Sequence, residues 1–103
     1  MSVALLVEDA SGGGRSLPVA TEVVFERSWL PVCEELGLEW LPLFESGLPV
    51  AEEDRPFVLA ELERFEKTIR AADPDSEIAD RARSLTDALR AIDFGSGTSA
   101  YIG

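Results

Sequence analysis

The sequence predicts a small α+β fold in which helices outweigh strands. Two long segments, 54–72 and 76–93, repeat apolar residues at steps of three and four, which is typical of amphipathic helices. Shorter apolar segments at 2–7 and 98–102 have strand-like composition. A length of 103 residues suits a single domain over 1–103. We therefore expect a helical hairpin and one further helix packed on a minimal sheet.

The first strand is predicted over residues 2–7 because a short apolar run ends there at Glu8, just before a glycine triplet. The triplet, Gly12 to Gly14, predicts a flexible loop. Pairing of residues 2–7 with 98–102 would give a two-stranded sheet, which needs helices across one face to be stable.

A kinked helix is predicted over residues 21–36. Thr21 is a favourable N-cap residue, and Gly37 can end the helix by adopting the left-handed backbone conformation. Pro31 lies inside the periodic run and removes one backbone hydrogen bond, so we expect a kink there. The apolar face consists of Phe25, Trp29, Val32 and Leu36.

The segment 38–44 (LEWLPLF) is bulky and apolar but is interrupted by Pro42, which indicates an edge strand or a packed loop. Residues 46–47 are expected to turn the chain, and Pro49 is expected to keep it irregular.

The hairpin helices have clear start signals. Asp54 caps the first helix, and Pro56 suits its first turn. Ser76 caps the second helix after the break at residues 73–75. Helices joined by so short a connection should pack antiparallel. Their apolar stripes are Val58, Leu62, Phe65 and Ile69 on the first, and Ile78, Ala82, Leu85, Leu89 and Ile92 on the second.

The charge balance indicates the kind of partner. The chain has 20 acidic and 9 basic residues, a net charge of −11. Such a surface repels nucleic acid and anionic membranes and attracts basic proteins. Acidic residues also keep proteins soluble, and that alternative explains the same composition.

Several chemistries have little support. The chain has no histidine, the usual acid–base group and metal ligand near neutral pH. Its one cysteine, Cys33, cannot form an internal disulfide, and its acidic neighbours favour an inert buried thiol. The start of the chain lacks a signal-peptide pattern, and no apolar run approaches the ~20 residues of a membrane span. We expect a cytoplasmic protein without catalytic, metal-binding or cofactor-binding residues.

Three weaker patterns have ordinary structural explanations. The glycine loop lacks the Gly-Lys-Ser/Thr ending of a phosphate loop, and residues 73–80 lack the glycine and final glutamate of an EF-hand. The carboxylate groups at 34–35 and 52–54 do not converge by spacing alone, although a carboxylate-dependent enzyme stays an alternative.

The best functional signal is the apolar segment 38–44 with acids around it. An apolar centre with a charged rim is typical of a protein–protein interface, whereas a lid on the core would explain the same residues. We predict a partner-binding surface formed by Glu34, Glu35, Glu39, Trp40, Phe44 and Glu45.

Three functions follow as hypotheses. The first is a non-enzymatic acidic module that binds a basic protein partner, for example an immunity-type inhibitor of a basic toxin or enzyme. The second is a self-associating structural protein that forms a homodimer. The third is the carboxylate-dependent enzyme.

Overall fold

The computed structural model describes residues 2–103, apart from the side chain of Ser96. Met1, which the single-domain prediction includes, lies outside the described residues. The α+β prediction is confirmed, and the sheet is antiparallel with strand order β2-β1-β4-β3. The predicted pairing of the two chain ends forms its centre, where β1 runs beside β4. The strands are β1 (Ser2–Glu8), β2 (Gly14–Thr21), β3 (Leu48–Val50) and β4 (Ser99–Ile102).

The sheet has two strands more than the minimal pair that we predicted. The glycine triplet forms the turn of a β1–β2 hairpin, closed by the Asp9 N–H donating to the Gly13 carbonyl at 2.8 Å. Pro18 lies in β2 and Pro49 in β3, and both strands are sheet edges. An edge strand tolerates proline because one side of its backbone needs no ladder partner. The prediction of irregular chain at Pro49 is therefore wrong.

Helix α1 covers residues 22–36 and is irregular where the kink was predicted. It consists of α-helical turns at Glu22–Val24 and Leu30–Leu36 with a π-helical segment at Phe25–Trp29 between them. The Leu30 N–H bonds to the carbonyl of Phe25, five residues back. This wider turn lies directly before Pro31, whose missing N–H and bulky ring an undistorted α-helix accommodates poorly.

Helices α2 (Arg55–Ala72) and α3 (Glu77–Arg90) form the predicted hairpin. The predicted Asp54 cap of α2 is wrong, because the Asp54 carboxylate makes no capping hydrogen bond to α2 and instead accepts from the Ala51 N–H at 3.2 Å. The Ser76 hydroxyl caps α3 by accepting from the Ala79 N–H at 3.2 Å. Helix α3 ends three residues before the predicted boundary. There, Arg55 Nη1 donates to the carbonyls of Leu89 at 3.2 Å and Ile92 at 2.7 Å. This guanidinium satisfies carbonyls at the end of α3 and ties them to the start of α2.

The helices cover one face of the sheet, and a single apolar core fills the space between the two layers. Its centre is an aromatic stack, in which the Trp29 ring lies 5.6 Å from Phe25 and 4.4 Å from Phe65 between centroids. The sheet contributes alternate residues of β1 to this core, namely Val3, Leu5 and Val7. None of the helices found within residues 2–103 is both long enough and apolar enough to span a membrane.

Candidate protein-binding surface

The side chains of the segment 38–44 are divided between the core and the surface. Leu38, Leu41 and Phe44 are all buried, and residues Leu41–Phe44 form a 3₁₀ turn. Leu41 and Phe44 are three residues apart in this turn and therefore share one face of it. The Phe44 ring packs 6.3 Å from Phe25 and is fully buried. Phe44 therefore offers no area to a partner, contrary to our prediction for it.

The next face of the same turn carries Trp40 and Leu43. Trp40 is half-buried and Leu43 is 44% exposed. Phe57, in the first turn of α2, is 59% exposed and is the most exposed of the large apolar side chains described. Its ring lies nearly parallel to that of Trp40, with centroids 6.0 Å apart and planes inclined by 10°. We call Trp40, Leu43 and Phe57 the aromatic patch.

The carboxylate of Glu61 fixes the backbone beneath the aromatic patch. Its Oε2 accepts from the Glu39 N–H at 2.9 Å, and its Oε1 accepts from the N–H groups of Trp40 at 2.9 Å and Leu41 at 3.1 Å. Glu61 lies one turn after Phe57 on α2, so one helix positions both partners of the ring pair. Hydrogen bonds to an ionised acceptor are the stronger kind, which makes this a rigid attachment.

The four predicted acids are all exposed, but the structure does not gather them in one place. Glu39 is the neighbour of Trp40 in the chain, whereas Glu34 and Glu35 lie in the last turn of α1. Glu45 lies instead against Glu26 and Glu22 of α1. Desolvation, a hydrogen bond to Glu26 and the charges of both neighbours raise the pKa of Glu45. We call Glu22, Glu26 and Glu45 the acidic cluster.

Replacing Glu45 with glutamine is expected to stabilise the protein slightly at neutral pH. The folded state raises the pKa of Glu45, so its ionised form opposes folding wherever the pH exceeds that raised value. The stabilisation should be present at pH 7, fade as the pH falls through the raised pKa and then through the ordinary one, and be gone by about pH 3, where the carboxyl is protonated in both states. Melting temperatures measured over this pH range test the expectation. Glu52→Gln makes the same charge change outside the acidic cluster, and an equal gain there would refute a local cause.

The other candidate sites have structural roles. Burial, followed by the charge of Glu61, raises the pKa of Cys33 to about 12, which leaves an unreactive thiol at neutral pH. In the glycine loop, the Asp9 carboxylate accepts from the backbone N–H groups of Ser11 at 3.0 Å and Gly13 at 2.9 Å. These amides are therefore occupied by the protein's own anion.

The acids between helices α2 and α3 are similarly occupied. Asp73 accepts from the Asp75 N–H at 3.1 Å, and Asp80 pairs with Arg70 at 2.9 Å. Within the part of the chain that the structure describes, no group of three His, Cys, Asp or Glu side chains is arranged to hold a metal ion.

Phe57 is the residue of this surface that sequence reasoning missed. It lies outside the apolar stripe of α2, one position before Val58. Periodicity alone could have identified Phe57, because a large aromatic residue outside the buried stripe of an amphipathic helix is expected to be exposed. Comparisons with family models, curated proteins and solved structures find nothing that matches this chain.

Proposed function

We propose that this chain is a non-enzymatic protein-binding module whose aromatic patch contacts a basic partner protein. The observation that carries the proposal is the ring pair of half-buried Trp40 and exposed Phe57, whose backbone support comes from Glu61. Aromatic side chains dominate the binding energy of protein interfaces. A surface held rigid before binding loses little conformational entropy when the partner arrives. Because the Phe57 side chain is largely exposed, it adds little to the stability of the folded chain. A partner that covers this side chain would explain why a large aromatic residue lies there.

The distribution of charge supports a basic partner. Residues 1–50, which include Trp40 and Leu43, carry 8 acidic and 2 basic residues. The acidic cluster holds like charges close enough to raise the pKa of Glu45, an arrangement that a neighbouring cation would relieve. Long-range attraction to such a surface speeds association and weakens as salt is added.

An immunity-type inhibitor of a basic toxin or enzyme is one concrete form of this module. Such an inhibitor gains from electrostatic steering, because it must find its target faster than the target finds a substrate. The proposal also places the protein in the cytoplasm, where the single thiol of Cys33 stays reduced.

Affinity capture from the source cell's lysate tests the function with three immobilised proteins: the wild type, Phe57→Ser and Val23→Ser. Val23 is the matched control, since it is 56% exposed but lies on α1 outside the aromatic patch. We expect a basic protein to be retained by the wild type and by Val23→Ser. Phe57→Ser should bind it about tenfold more weakly, which corresponds to about 1.4 kcal/mol.

Retention should also fall when the salt concentration is raised from about 0.1 M to about 0.5 M, because the attraction between opposite charges is screened. Equal retention by all three proteins would show that the aromatic patch is not the binding site. An acidic or salt-insensitive partner would contradict the electrostatic part of the proposal.

A further inference from the structure

The sheet has a second face that the helices do not cover. Strands β1 and β4 are its two central strands, and their outward side chains Leu6 and Tyr101 are 42% and 40% exposed. The register places Leu6 opposite both Ser16 and Tyr101, and places Tyr101 opposite Pro49. A single row of side chains therefore crosses all four strands, in the order Ser16, Leu6, Tyr101, Pro49.

A second row lies beside the first and is equally free of charge. Ala4 is paired with Pro18 on one side. On its other side Ala4 exchanges two backbone hydrogen bonds with Gly103, at 3.2 and 3.0 Å. We call the outward residues of these two rows the sheet face: Ala4, Leu6, Ser16, Pro18, Pro49, Tyr101 and Gly103.

The sheet face differs from the rest of the surface in its charge. Charged residues make up 28% of the chain, yet the two rows contain none, and Glu8 at the end of β1 is the nearest acid along that strand. An uncharged surface is unusual in a protein of net charge −11.

The Tyr101 ring occupies space that two glycines leave open. A Cβ atom at Gly47 would collide with the Tyr101 hydroxyl, and one at Gly103 would lie 2.7 Å from ring atom Cε1. Tyr101 therefore lies close over the backbone at both positions. The largest side chain of the sheet face is therefore already positioned, which lowers the entropic cost of covering it.

We propose that the sheet face is the interface between two copies of this chain. Copies of net charge −11 repel each other, and they can approach only where neither presents acids. In a two-fold interface each copy uses the same surface, so an uncharged surface suits a copy of itself. A basic partner would find no acids in these rows and is expected at the aromatic patch instead.

The size of the sheet face predicts a weak dimer. The two rows cross four strands spaced about 4.8 Å apart and extend over about four residues of strand, each rising about 3.3 Å, so the sheet face measures about 19 Å by about 13 Å. Two such faces would bury roughly 500 Å² together, which is smaller than most specific interfaces and fits only a weak, transient association. We expect dissociation at micromolar concentrations and a dimer at higher ones.

Sedimentation of the full chain over a range from about 10 µM to about 500 µM tests the proposal, since mass action shifts the balance of monomer and dimer. The wild type should move from 11.2 kDa toward twice that mass. Leu6→Lys should stay monomeric, because a two-fold interface would bury a lysine against its counterpart. Val23→Lys makes the same charge change at an exposed site on α1 and should dimerise like the wild type.

Salt separates this interface from the proposed partner site. Added salt should strengthen the dimer, because it screens the repulsion between two acidic copies, whereas it should weaken binding of a basic protein. Circular dichroism confirms that each variant is folded. If Leu6→Lys does not fold, Ser16→Lys on edge strand β2 carries the same test in the same row.

Three results would overturn the inference. One is a wild type that stays monomeric at every concentration and salt, with the sheet face then open to a different macromolecule. Another is a dimer that Leu6→Lys leaves intact. The third is equal loss of the dimer in Leu6→Lys and Val23→Lys. That result would mean that the copies meet at another surface, or that the change in net charge alone disrupts the dimer.

Discussion

Replacing Glu61 with alanine is expected to lower the free energy of unfolding by about 2–3 kcal/mol. One carboxylate accepts three backbone N–H groups, those of Glu39, Trp40 and Leu41, and alanine leaves all three without this acceptor. Two of these bonds are partly buried, so water replaces the carboxylate incompletely. Denaturant unfolding followed by circular dichroism measures the loss.

Glu63→Ala is the matched control for Glu61→Ala. Glu63 lies on the same helix, but it is exposed and pairs with Arg90 at the surface, an interaction worth less than about 1 kcal/mol. The loss of unfolding free energy for Glu61→Gln should lie between the losses for Glu61→Ala and Glu63→Ala. The amide oxygen of glutamine still accepts a hydrogen bond, whereas its amide nitrogen does not. Equal losses for Glu61→Ala and Glu63→Ala would mean that Glu61 does not fix the chain at 39–41.

The same substitution links stability to the proposed function. Without Glu61, the backbone of Trp40 loses its hydrogen bond to the helix that carries Phe57, and only the ring contact with Phe57 remains. We expect Glu61→Ala to weaken partner capture although it removes no atom of the aromatic patch, because ordering Trp40 would then oppose binding. Fluorescence quenching should report the freed Trp40, since the other tryptophan, Trp29, is fully buried.

Replacing Gly47 with alanine is expected to cost about 2–4 kcal/mol. Gly47 has φ = 101°, a conformation that residues with a Cβ atom rarely adopt. The added Cβ would also overlap the Tyr101 hydroxyl. The cost therefore has a backbone part and a steric part, and the two can be measured separately.

Gly37→Ala supplies the backbone part alone. Gly37 has φ = 68° with no atom within 4 Å of the added Cβ, so its substitution should cost about 1–2 kcal/mol. In a Tyr101→Ala background, Gly47→Ala should cost less than it does in the wild type, because the overlapping ring is gone and only the backbone part remains. An unchanged cost in that background would show that Tyr101 does not press on Gly47.

Most of the helical structure was predictable because its signals are local. The periodic stripes, the Ser76 cap and Gly37 at the end of α1 all act within a few residues, and each is confirmed. The strands were harder to predict. Pro18 and Pro49 exclude a central strand but not an edge strand, and strand order arises only when distant segments meet.

The candidate site was predictable only in part. The sequence indicated a bulky segment at 38–44 with acids around it, and Trp40 and Glu39 lie at the aromatic patch. It did not indicate that the segment would turn with a period of three, which places Phe44 inside and leaves Leu43 outside. The contact with Phe57 joins residues 17 positions apart, and no local pattern specifies such a pair.

The amino-acid sequence by itself determined the fold class, the helical hairpin and the acidic character, because composition, periodicity and capping depend on neighbouring residues. Tertiary structure decided whether the apolar side chains outside the periodic stripes are covered, since their burial depends on what packs against each of them. It assigned Phe44 to the core, paired Trp40 with Phe57, and left Leu6 and Tyr101 on an uncovered sheet face.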